Sequence, residues 1–88
     1  MTDKKKQEID KGRKAKLLLD DPILKEAFEK LETLYKDQIF RTQVGDEKER
    51  THIYLCHNTL HTVKAHLQEM MQTGELAEES LKEKKIIF

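Results

Sequence analysis

Residues 46–73 read DEKERTHIYLCHNTLHTVKAHLQEMMQT. Within them Ile53, Cys56, Leu60, Val63, Leu67 and Met70 recur at alternating steps of three and four. That spacing lines them up along one side of a helix, as a seam that packs lengthwise on another helix. Asp46, followed three residues later by Glu49, has the form of a capping box in its acidic variant, so the helix is expected to begin there. Gly74 can take the left-handed conformation that closes helices, so the helix is expected to stop at Thr73.

Working outward, Gln43-Val44-Gly45-Asp46 is a short connection, with Gly45 suited to end one helix and Asp46 to start the next. The preceding helix is expected from Pro22 to about Thr42. Proline is favoured at a first helical position, and Asp21 before it is a fitting cap. Leu24, Ala27, Phe28, Leu31, Leu34, Tyr35, Gln38 and Ile39 share one broad face, as in a helix with two neighbours. Glu32 and Lys36 form a favourable pair one turn apart. So short a loop makes the two helices antiparallel neighbours. The expected fold is all-α: an antiparallel αα-hairpin with a short N-terminal helix or arm and a short C-terminal helix. Its divisions are 1–21 for the arm, 22–74 for the hairpin, and 75–88 for the last short helix and an apolar tail.

The arm carries Lys4, Lys5, Lys6, Lys11, Arg13, Lys14 and Lys16, interleaved with Asp3, Glu8 and Asp10, and closes on Leu17, Leu18 and Leu19. Gly12 is a weak point within it, costing ~1 kcal/mol relative to alanine. Propensity allows a helix from about Lys5 to Leu19, but with no strong amphipathic stripe the arm is open to fraying, with the leucines as its anchor. At the other end, Ile86-Ile87-Phe88 is an apolar terminus after a charged linker, suited to docking in a groove.

The totals bound what such a chain does. It has 88 residues, 36% hydrophobic and 39% charged, which allows one domain with a thin core. Chains of this kind often complete their core against another chain. The formal net charge is zero, so no global field draws the protein to nucleic acid or an anionic membrane. No apolar run reaches the roughly 20 residues of a membrane span. The start of the chain lacks the apolar core of a secretory signal, and the single cysteine fits a reducing compartment. The expected location is the cytoplasm, with no membrane partner.

Reactive centres are sparse. His57 and His61 stand one turn apart, a spacing that can hold a transition metal. Such a site needs three or four ligands, and the spacing supplies no third. Asn58-Thr59-Leu60 between them lacks the glutamate of a metalloprotease HExxH. They read as partly exposed helix-face residues, and no metal or cofactor is expected. Cys56 lies near His52 and His57 but in the seam, where a thiol acts as a small apolar side chain rather than a nucleophile. Ser80 is the only serine, and the three scattered glycines form no phosphate loop. The chain is expected not to be an enzyme.

One pattern extends beyond single sites. It runs Gly12-Arg13-x-Ala15-x-x-Leu18-Leu19-x-x-Pro22, then Ala27, Arg41-Thr42, Asp46, Glu49-Arg50 and a long helix to Gly74. Over residues 12–81 the chain resembles small uncharacterised helical proteins of tailed bacteriophages. It departs from them at His52-Ile53-Tyr54, where a large aromatic such as Trp would be expected. The resemblance implies a role in virion structure or assembly, with the virion as the location, and carries over no catalytic residues.

The expected function is therefore a non-enzymatic assembly or structural protein, associating with itself or docking on a larger protein. Leu17, Leu18, Leu19, Tyr35, Phe40, Ile86, Ile87 and Phe88 are the expected protein-interface residues. The alternative is a nucleic-acid-binding accessory protein, such as a DNA-packaging adaptor. Lys4, Lys5, Lys6, Lys11, Arg13, Lys14 and Lys16 would then track phosphates.

Overall fold

The structure, a computed structural model, describes residues 2–86, with side chains described for residues 3–82. Three α-helices and no strand occur among the described residues: α1 (Thr2–Asp20), α2 (Pro22–Arg41) and α3 (Glu47–Ile86). None of them is long and apolar enough to cross a membrane.

The breaks fall where backbone chemistry requires them. Proline at position 22 disfavours helical geometry in the residue before it, and Asp21 is the single non-helical residue between α1 and α2. The Asp21 amide still donates to the Leu18 carbonyl at 3.2 Å, closing α1 with a tighter final turn. Between α2 and α3 the chain turns at Gly45, whose φ of 108° lies in the region that glycine alone enters without strain. Asp46 joins the two sides of the turn. Its carboxylate accepts the Gln43 amide at 3.3 Å, and its carbonyl accepts the Arg50 amide at 3.0 Å, the first bond of α3.

Two expectations need correction. The helix expected to stop at Thr73 runs on through Gly74 to Ile86, so residues 75–82 belong to α3 and not to a separate short helix. The arm is helical over the Lys5–Leu19 stretch that propensity allows and beyond it from Thr2 to Asp20, without fraying at Gly12. Both corrections have one cause. A Cβ added to Gly12 would stand 2.8 Å from the Gly74 Cα and 2.9 Å from the Met70 carbonyl oxygen. A Cβ added to Gly74 would stand 2.8 Å from the Glu8 carbonyl oxygen. These glycines are where α1 and α3 bring their backbones together. The ~1 kcal/mol that each costs inside a helix is offset by contact no other residue permits.

The chain divides into two compact units, residues 1–21 with 65–88 and residues 22–64. In the first, α1 meets the second part of α3. Ile9, Ala15 and Ala77 are buried beside the paired glycines. Lys5 donates to the Ser80 hydroxyl at 2.8 Å, and Arg13 pairs with Glu78 at 2.9 Å. In the second unit, α2 meets the first part of α3. Every residue of α2 is described and none is buried; Ile53, 8% exposed, is the buried side chain of this unit. Leu24, Phe28, Tyr35, Ile39, Cys56 and Leu60 are half-buried.

Candidate functional site

The surface of the second unit is its most unusual property. Ile23 is 73% exposed and Phe40 is 87% exposed; Leu34, Tyr54, Leu55 and Val63 also face solvent, as does Val44 in the turn. Isolated apolar side chains on a surface are ordinary, but an apolar helix face with nothing buried is not. Tyr35, His52, Leu55, Cys56, Thr59, Leu60 and Val63 together line an open apolar groove along α2 and α3.

The expected seam holds only in part. Ile53 is buried, and Cys56, Leu60 and Leu67 are half-buried, whereas Val63 and Met70 are exposed. Periodicity places these residues on one side of α3. It does not say how far along that side a neighbouring helix reaches.

Of the expected interface residues, Leu17 and Leu18 are exposed near the end of α1, while Leu19 is half-buried. Tyr35 is half-buried and Phe40 exposed. Ile87 and Phe88 lie outside the described residues, as does the side chain of Ile86. Among the basic residues of α1, Lys5 and Arg13 are engaged with Ser80 and Glu78. Lys11 lines a groove with Glu8 and Glu69, and Lys4, Lys6, Lys14 and Lys16 are exposed.

The structure gives Arg50 a role that spacing alone did not signal. Its Nε donates to the Thr42 hydroxyl at 2.9 Å, and its Nη2 donates to the Gln43 carbonyl at 3.0 Å. The Thr42 hydroxyl in turn donates to the Ile39 carbonyl at 2.6 Å. One side chain at the start of α3 thus ties the Thr42 hydroxyl, just past α2, to the Gln43 carbonyl of the turn, which also accepts the Asp46 amide at 3.1 Å.

The histidines are placed on two levels. His52 and Cys56 approach only to 3.9 Å between Nε2 and Sγ, a weak contact. His57 and His61 do converge, and Glu32 of α2 joins them, the three ligand atoms lying within 4.8 Å of one another. Spacing along α3 marks the histidine pair, but the third member comes from another helix and depends on how α2 and α3 are matched. Comparisons with protein-family models, with curated proteins and with solved structures return no match.

Proposed function

We propose that the chain is a non-enzymatic helical assembly protein that self-associates through the apolar surface of residues 22–64. In this reading α2 and the first part of α3 form an antiparallel hairpin. Thr42 with Arg50, and Glu32 with His61, are the matched positions that support it. The observation that carries the proposal is that α2 bears Ile23, Leu31, Leu34 and Phe40 on its surface and buries no residue at all. Fully burying a side chain of that size contributes ~1.5–3 kcal/mol, so covering several of them is a sufficient driving force for association. Seventeen basic and seventeen acidic residues sum to zero, so two copies approach without net repulsion. In the setting implied by the bacteriophage resemblance, such a module would be a structural or morphogenesis component of a virion. The basic residues of α1 support the nucleic-acid reading less well, because Lys5 and Arg13 are already engaged within the chain.

Light scattering over a concentration series tests the proposal. A defined oligomer is expected, and Leu34→Ser combined with Phe40→Ser should raise its dissociation constant at least about tenfold with helicity unchanged. A monomer at every concentration would overturn self-association. Retention on DNA that weakens steeply with salt would favour the accessory-protein reading instead.

A further inference from the structure

We propose that Glu32, His57 and His61 form a binding site for a divalent transition-metal ion of the zinc type, joining α2 to α3. The two histidines project from adjacent turns of α3, and their Nε2 atoms stand 3.3 Å apart. Glu32 reaches across from α2, its Oε1 3.2 Å from the His61 Nε2. Zinc binds imidazole nitrogen and carboxylate oxygen at about 2.0–2.1 Å in tetrahedral geometry, which sets neighbouring ligand atoms about 3.3 Å apart. Both separations match those of atoms sharing one ion, and the remaining pair, Glu32 with His57, lies within 4.8 Å.

The donor set narrows the ion. Two imidazoles and a carboxylate suit zinc, nickel or copper, whereas magnesium and calcium require mostly oxygen ligands. Three protein ligands leave a fourth position for water, as in open zinc sites. For both Nε2 atoms to bind, each ring carries its proton on Nδ1. Access is direct, because the His61 side chain is 48% exposed. Lys36 also approaches the cluster, its Nζ 3.9 Å from the same Glu32 oxygen. That distant, exposed contact is displaced at little cost. The ring planes of His57 and His61 meet edge-on with centroids 4.5 Å apart.

Such an ion would pin α2 to α3 in the unit that buries least of its apolar surface, so binding should register as stability. The test is titration of the full chain, purified without a histidine tag, with zinc chloride near neutral pH. Saturable binding of one ion per chain is expected, with a rise of about 5–10 °C in thermal midpoint at zinc about tenfold above its dissociation constant. Magnesium chloride should produce neither effect. His61→Ala and Glu32→Gln should each weaken zinc binding at least about tenfold, and His52→Ala should leave it unchanged. Circular dichroism without metal checks that the variants keep their helices, and His61→Gln replaces His61→Ala if the latter does not. Absence of saturable binding, half an ion per chain, or undiminished binding after His57→Ala with His61→Ala would each overturn the site.

Discussion

The two units solve the same problem, helix against helix, with opposite materials. Residues 1–21 with 65–88 pack through backbone. Gly12 faces Gly74, Ala15 is 2% exposed and Ala77 is also buried, so the helices approach most closely at their small residues, with Ile9 buried beside them. Residues 22–64 pack through side chains. Only Ile53 is buried there, while Leu31, Leu34, Phe40, Tyr54 and Leu55 remain on the surface. Close approach between small residues gains dense van der Waals contact, while Leu17, Leu18 and Leu76 of the same unit stay exposed away from it. Large side chains around one buried residue leave much of their area in water. The contrast is sharpest at α2, which buries no residue.

The strongest way to break the comparison is to empty the one buried position of the second unit. Ile53→Ala should destabilise residues 22–64 by ~2–4 kcal/mol, because a thin core has few neighbours able to collapse into the space. Urea unfolding followed by circular dichroism measures it, at a concentration where association is constant. A loss below ~1 kcal/mol would mean that Ile53 is not the centre of this unit.

A smaller effect, with a diagnostic sign, is expected in the first unit. Alanine is a better helix former than glycine by ~1 kcal/mol, so Gly74→Ala would stabilise α3 if only local propensity mattered. The new Cβ would instead meet backbone atoms of α1 at 2.8 and 2.9 Å, and backbone has little freedom to yield. Overpacking of this kind costs ~1–3 kcal/mol, leaving a net loss of roughly 1 kcal/mol. A gain in stability would show that the two helices can separate without penalty.

The same glycines mark how far sequence reaches. The start of α2 at Pro22 and the turn at Gly45 are legible because a fixed φ and a positive φ are local demands. Gly74 carries the same local sign as Gly45, yet α3 passes through it, because its reason for being glycine is a contact with a residue sixty-two positions away. A matching pattern was present, Gly12 with Ala15 and Gly74 with Ala77, each pair three apart. It becomes informative only when the two segments are set side by side. The candidate metal cluster divides in the same way. His57 and His61 are legible as neighbours on one helix, and Glu32 is not, because its place depends on how α2 and α3 are matched.

The smallest expected difference lies between two arginines, one in each unit. Arg13 pairs with Glu78 at 2.9 Å, but the two side chains are 65% and 38% exposed. Water competes for both charges, and such pairs contribute ~0–0.5 kcal/mol after screening. Arg50 has no carboxylate partner in its two bonds, yet it holds the Thr42 hydroxyl and the Gln43 carbonyl. Bonds from a charged donor to neutral acceptors at a partly exposed helix end contribute ~0.5–1.5 kcal/mol, and the Gln43 carbonyl keeps the Asp46 amide at 3.1 Å when Arg50 is removed. Arg50→Ala should therefore cost more stability than Arg13→Ala, and its cost should change little with added salt. Parallel urea titrations of the two variants at low and high salt measure both quantities. An equal cost, or a cost for Arg50→Ala that salt abolishes, would mean that Arg50 acts as a surface charge and not as the clasp of the turn between α2 and α3.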